Sequence, residues 1–76
     1  MAKRCADPKK FSKALGLRVR ELRLREGWTL EDAEEHGFKN WRHLQTIESG
    51  KNITVHTLVK LANLFHIQPS DLIKDL

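Results

Sequence analysis

The residues best suited to chemistry lie in the stretch WRHLQTIESG, residues 41–50. Helical periodicity places Leu44 and Ile47 on one apolar face. Four polar or aromatic side chains point largely away from that face, namely Trp41, Arg42, Gln45 and Thr46. Arginine can form two hydrogen bonds with guanine, glutamine can form two with adenine, and threonine offers a methyl group to thymine. These residue types on one helical face indicate contact with the base edges of DNA.

A capped helix is predicted just before this stretch. Thr29 is typical of an N-cap, and Asp32, three residues later, completes a capping box. The predicted helix runs from residue 30 to about 36, and Gly37 follows at a position where a positive φ is usual. A tight turn then leads into the helix at residues 41–49. Two helices joined by a short turn, the second with an exposed polar face, form the layout of a DNA-binding helix-turn-helix.

Longer segments of the chain carry a family resemblance. The matching segments are LGLRVRELRLREGWT (15–29), LQTIESGK (44–51), TVHTLVKLANLF (54–65) and IQPSDL (67–72). Arg23 stands four residues before Gly27, and Ile-Glu-x-Gly closes the second helix of the motif. In this order the segments resemble the phage-repressor and Cro type of helix-turn-helix domain, the Xre family. The resemblance implies an all-α, lambda-repressor-like fold of five helices with the helix-turn-helix at its centre.

The resemblance also implies roles for individual residues. The family's base-contacting positions fall on Trp41, Arg42, Gln45 and Thr46. Tryptophan is unusual at such a position, so its ring either contacts DNA or folds onto the edge of the core. In the family a matching arginine and glutamate pair across the base of the motif. The implied counterpart is a partly buried ion pair between Arg23 and Glu48 that locks helix one to helix three.

Phosphate contacts position a DNA-binding domain without reading the sequence. Backbone amides at the start of the first motif helix, near Thr29 and Leu30, suit a phosphate oxygen. The other candidates lie around the second motif helix and in the loop after it: Lys39, Asn40 (the N-cap), His43, Lys51 and Asn52. The alternative for His43 and for each lysine is an ordinary solvated side chain.

The chain departs from the family pattern in three places, one of which is the loop after Gly50, about one residue shorter than usual in the family. Leu30 stands where glutamine commonly supports a phosphate contact. An alignment with the family without gaps puts Glu34 at the position where the family usually has a small alanine packed between the helices. The same alignment puts Phe38 at the position where the family usually has the glycine of the turn. A shift of one residue returns those roles to Ala33 and Gly37 and requires one extra residue in the turn. Periodicity does not choose between the two registers.

Length and charge limit the class of protein. Seventy-six residues make one small domain, and the net charge is +4. Nine Lys/Arg and two acids fall in residues 1–25, whereas residues 26–38 hold five acids and no Lys/Arg. A basic chain suits a polyanionic partner. The basic residues near the N-terminus, Lys3, Arg4, Lys9 and Lys10, either bind that partner or are simply solvated.

Three further helices are expected around the motif. Residues 1–7 are predicted to form a flexible basic arm, followed by the helix-turn-helix domain at 8–76. Asp7 and Pro8 favour a helix start, although Gly16 weakens that helix and allows a start nearer Ser12. A fourth helix is predicted at residues 55–65 and a fifth at 70–74. The helix-one residues Leu17 and Leu24 lie off its core stripe, where they are either covered by the C-terminal helices or exposed to a partner.

Other function classes lack support in the sequence. The four histidines and the single Cys5 show no metal-ligand spacing. Nucleophile–base sets and phosphate-binding glycine loops are also missing, so we expect no enzyme and no cofactor. No apolar run is long enough to span a membrane, and a lone cysteine suits a reducing compartment. A cytoplasmic protein without a membrane partner is therefore expected.

The sequence thus predicts a DNA-binding transcriptional regulator, a repressor or a controller protein, whose partner is double-stranded DNA. One protomer buries too little DNA for high specificity, so a homodimer on a two-fold symmetric operator is expected. Such a dimer would block or recruit RNA polymerase. The candidate dimer residues are Phe65, Ile67, Ile73 and Leu76, which alternatively complete the core of a monomer. The competing function is a protein–protein interaction module that uses the acidic helix, Leu30 and Trp41.

Overall fold

The computed structural model describes residues 7–76, which form five α-helices and contain no β-strand. The helices are α1 (Pro8–Arg25), α2 (Leu30–Glu35), α3 (Trp41–Glu48), α4 (Val55–Leu64) and α5 (Pro69–Ile73). This confirms the predicted all-α class with five helices. The predicted flexible arm lies outside the described residues except for Asp7, which caps α1.

Local capping chemistry sets where the helices begin. The Asp7 carboxylate accepts hydrogen bonds from the amides of Lys9 and Lys10, and Pro8 occupies the first helical position. Thr29 and Asp32 form the predicted capping box of α2, and Thr54 caps α4 through the amide of Thr57. Because these caps satisfy amides that a helix start leaves unpaired, α1 begins at Pro8 and not near Ser12.

The core forms where the apolar faces of the helices meet. Its buried members are Leu15, Val19, Ala33, Phe38, Leu44, Ile47, Leu61, Ala62, Leu64, Phe65 and Leu72. In α3 the two predicted inward residues, Leu44 and Ile47, are 0% and 1% exposed. The core therefore fixes which face of α3 is left for solvent.

The structure also decides the register of α2. Ala33 is fully buried and Gly37 follows the helix with φ of 124°, whereas Glu34 is exposed. Phe38 is 5% exposed and belongs to the core, so it does not occupy the turn position of a glycine. Within α2 the structure therefore agrees with the roles that the shifted register gives to Ala33 and Gly37.

Gly16 of α1 packs directly against the backbone of α3. A Cβ atom at this position would lie 2.5 Å from the carbonyl oxygen of Ile47 and 2.9 Å from that of Glu48. Real Cβ atoms do not approach backbone oxygens so closely, so only glycine lets the two helices pack at this distance. The residue that weakens α1 locally is therefore required by its packing on α3.

The C-terminal helices complete the globule. Arg18 on α1 donates from Nη2 to the carbonyl oxygen of Asp71 at 3.3 Å, which joins α1 to α5. Leu17 and Leu24 are 58% and 55% exposed, so the C-terminal helices do not cover them. None of the helices within residues 7–76 is long and apolar enough to cross a membrane.

Candidate nucleic-acid interface

The outer face of α3 carries the candidate base-contacting residues. Asn40 caps the helix, its Oδ1 accepting from the amides of Arg42 at 3.0 Å and His43 at 3.2 Å. The side chains of Arg42, Gln45 and Thr46 are exposed, opposite the buried Leu44 and Ile47. As predicted from the sequence, α3 has a buried apolar face and an exposed polar face.

Two side chains at the start of α3 lie against each other. The guanidinium carbon of Arg42 is 5.3 Å from the ring centroid of Trp41, within the range of a cation–π contact. Trp41 is half-buried, so part of its ring remains accessible beside the guanidinium. The ring therefore restricts where the Arg42 head group can lie and leaves its outer N–H groups available.

Thr46 has a more limited hydrogen-bonding capacity than its type suggests. Its Oγ1 donates to the carbonyl oxygen of Arg42 at 3.0 Å, one helical turn earlier. The hydroxyl proton is therefore used within the helix. Thr46 offers a ligand its methyl group and hydroxyl lone pairs.

An ion pair joins α1 to the end of α3. Arg23 donates from Nε to Glu48 Oε2 at 2.7 Å and from Nη2 to Oε1 at 3.0 Å. A third bond runs from Arg23 Nη1 to the carbonyl oxygen of Trp28 at 2.8 Å, at the entrance to α2. The hydrogen-bonded Glu48 carboxylate raises the pKa of the Arg23 guanidinium. The structure thus brings the two implied partners together and ties all three helices of the motif region through one side chain.

The amide of Thr29 is not available to a phosphate. It donates to Asp32 Oδ2 at 2.9 Å, while the Asp32 amide donates to Thr29 Oγ1 at 3.0 Å. The Thr29 backbone and side-chain hydrogen bonds hold the pKa of the Asp32 carboxyl below its ordinary value. The Thr29 amide therefore already has a negatively charged acceptor, and a phosphate contact at Thr29, which stays a prediction, would use its hydroxyl proton.

The remaining phosphate candidates lie at both ends of α3. Lys39 and Asn40 precede the helix, and Lys51 and Asn52 follow it; all four are exposed. His43 is also exposed, and its ring centroid lies 5.7 Å from that of the buried Phe38. The side-chain oxygen Oδ1 of Asn40 is used in capping, which leaves the side-chain NH₂ group as the donor for an anion.

Two surface depressions extend the candidate interface onto α1. One is lined by Lys9, Lys13, Ser49, Gly50, Lys51 and Asn52, together with Pro8 and Ser12. The other places Arg20 of α1 and Leu30 of α2 beside Gln45 of α3. Lys13 and Arg20 were not among the site residues predicted from the sequence. Their spacing in the sequence could have indicated that they share a surface, because Lys9, Lys13, Gly16 and Arg20 recur every three or four residues along one face of α1.

The predicted dimer residues differ in their exposure. Phe65 is 7% exposed, and its ring stacks on that of Trp28 with centroids 5.9 Å apart. Phe65 therefore belongs to the core of the protomer and not to a dimer interface, as the alternative prediction from the sequence had it. Ile67 and Ile73 are half-buried against the core, and Leu76 is 37% exposed.

Within residues 7–76, no three His, Cys, Asp or Glu side chains are grouped so that they could hold a metal ion.

Comparison with known proteins adds no assignment, since no family model, curated protein or solved structure matches this chain.

Proposed function

We propose that this chain is a sequence-specific DNA-binding transcriptional regulator whose α2 and α3 act as a helix-turn-helix of the phage-repressor type. The observation that carries the proposal is the division of α3 into two faces. Leu44 and Ile47 are fully buried, while Arg42, Gln45 and Thr46 are exposed on a helix anchored by a buried ion pair. A rigidly held helix with this polar face suits the major groove, where each base pair displays a distinct pattern of donors and acceptors.

In this proposal Arg42 and Gln45 contact base edges, and Lys39, Lys51 and Asn52 contact phosphates. Trp41 positions the guanidinium of Arg42 through the ring contact at 5.3 Å. No small ligand is needed, because occupancy of the operator itself blocks or recruits RNA polymerase.

The proposed active form is a homodimer, because two protomers read two half-sites and one buries too little DNA for high specificity. Its interface uses exposed apolar residues of α4 and α5 in place of Phe65. Val55 and Val59, one turn apart on α4, are 76% and 41% exposed. Val55 and Ile73 line the same apolar depression. We expect Val55→Lys to lower the dimer fraction measured by light scattering, whereas an unchanged fraction would place the interface elsewhere.

A protein–protein interaction module remains the second candidate, and one observation favours it. Leu17 and Leu76 line a shallow depression with Ala14, and Leu24 is exposed on the same helix as Leu17. Contiguous exposed apolar surface marks interaction sites, and Leu17 and Leu76 are the exposed apolar residues that line one depression together.

Titration against duplex DNA at several salt concentrations separates the two functions. Binding through several phosphates weakens steeply with added salt, because condensed counterions are released from the DNA. The DNA proposal predicts this steep slope together with a preference for particular sequences. An interaction module predicts weak DNA binding without sequence preference and a protein partner whose binding changes little with salt.

A further inference from the structure

Three lysines from two distant parts of the chain meet beside the C-terminal end of α3. Lys9 and Lys13 lie one turn apart on α1, and Lys51 lies in the loop after α3. All three line one depression together with Asn52. Gly50 allows the loop after α3 to lie close to α1, since a Cβ at that residue would stand 3.3 Å from the Cα of Lys13.

These positive charges are not neutralised by neighbouring side chains. The residues that line the depression include no Asp or Glu. Within residues 7–76, none of the three lysines takes part in an ion pair. The adjacent carboxylate, Asp7, is turned onto the amides of Lys9 and Lys10 as the α1 cap. Like charges held close together favour a polyanion as the ligand.

The position of the depression relative to α3 identifies that polyanion. A helix in the major groove contacts bases mainly through its first turns. With eight residues, α3 is about 12 Å long, which is similar to the width of the groove, about 12 Å. When the first turn of α3 contacts bases, its C-terminal end comes towards the sugar–phosphate backbone that borders the groove, and the three lysines lie beside that end.

We propose that Lys9, Lys13, Lys51 and Asn52 form a binding site for backbone phosphates of double-stranded DNA, so that α1 contacts DNA in addition to the helix-turn-helix. This inference rests on the proposed function. Phosphate contacts carry no sequence information, so the site contributes affinity and orientation and leaves base preference to α3.

The test compares two double variants that lose the same charge. Lys9→Gln/Lys13→Gln removes the α1 half of the site. Lys60→Gln/Lys74→Gln removes two exposed lysines that lie outside the depression. Each protein is titrated by fluorescence anisotropy against the duplex selected by the wild type and against a scrambled duplex, between 50 and 200 mM salt. Melting curves establish that both variants fold.

If two phosphate contacts are lost, the slope of log K against log salt falls by about 1.8 in magnitude. Over this fourfold salt range the wild type then loses about tenfold more affinity than the site variant, and the preference for the selected duplex stays unchanged. The control variant keeps nearly the wild-type slope.

Two results would overturn the inference, and they have different meanings. Equal slopes for the site and control variants, with sequence-specific binding by the wild type, would remove α1 from the interface and leave the proposed function intact. A wild type that shows neither salt-sensitive nor sequence-specific DNA binding would overturn the proposed function and the phosphate site together.

Discussion

Arg23 and Glu48 face each other fork to fork, with both oxygens of the carboxylate bonded to the guanidinium at 2.7 and 3.0 Å. The residues are 25 positions apart, and their side chains are only 10% and 8% exposed. The pair and the close backbone contact at Gly16, two helical turns earlier on α1, both join α1 to α3. The orientation of the outer face of α3 depends on this junction.

Glu48→Ala is expected to destabilise the protein by about 3–5 kcal/mol, because it leaves a nearly buried guanidinium without its carboxylate. For a domain of this size such a loss is a large share of the total stability. The measurement is the free energy of unfolding in urea. A matched control is Glu21→Ala, since Glu21 pairs with Arg18 and Arg25 on the exposed surface and should contribute less than about 1 kcal/mol. Similar values for the two variants would contradict the assigned role of Glu48.

Gly16→Ala is expected to destabilise the fold although alanine is the better helix former by about 1 kcal/mol. The added methyl group would meet backbone oxygens of α3, which cannot rotate aside as a flexible side chain can. Overpacking of this kind costs about 1–3 kcal/mol. Thermal unfolding by circular dichroism measures the effect, and a melting temperature above that of the wild type would refute the close packing.

Asp32 links the stability of α2 to pH. The Thr29 amide, the main cause, and the Thr29 hydroxyl lower the pKa of the folded Asp32 carboxyl. A lowered folded pKa means that the stabilisation is present above the unfolded value of about 3.9 and is lost as the pH falls through the folded pKa. Wild type should therefore exceed Asp32→Asn in melting temperature at pH 6, and the difference should shrink below about pH 4. A difference independent of pH would show that charge plays no part in this cap.

Arg42→Ala and Lys51→Ala are expected to weaken DNA binding in different ways. Loss of a bidentate base contact relaxes discrimination at one operator position by about 1–3 kcal/mol. Loss of a phosphate contact weakens binding to all sequences alike and lowers the salt slope by about one unit. Competition titrations with single-base operator variants separate these effects. If Arg42→Ala weakened every duplex equally, Arg42 would be reassigned to positioning the domain.

Much of the fold follows from local signals in the sequence. The caps at Asp7, Thr29, Asn40 and Thr54 involve residues two or three positions apart, so the sequence alone locates the starts of α2, α3 and α4, whereas it left the start of α1 open between Pro8 and Ser12. The two faces of α3 follow from helical periodicity in the same way.

Features that depend on contacts between distant residues could not be predicted in the same manner. The register of α2 is decided by burial of Ala33 and Phe38 against other helices, and periodicity over six residues is too short to settle it. Lys13 and Lys51, which are 38 positions apart, line the same depression because α1 packs closely against Gly50. At Thr29, the capping box was correctly predicted, yet the same Asp32 carboxylate removes the amide proposed for phosphate.

The most direct test of the central claim is selection of bound sequences from a random DNA pool at near-physiological salt, followed by titration of the enriched duplex. We expect an enriched palindrome with two half-sites about one helical turn apart, each carrying a base pair whose recognition is lost in Arg42→Ala. Recovery of no common motif, with weak binding that salt abolishes, would contradict a sequence-reading role for α3.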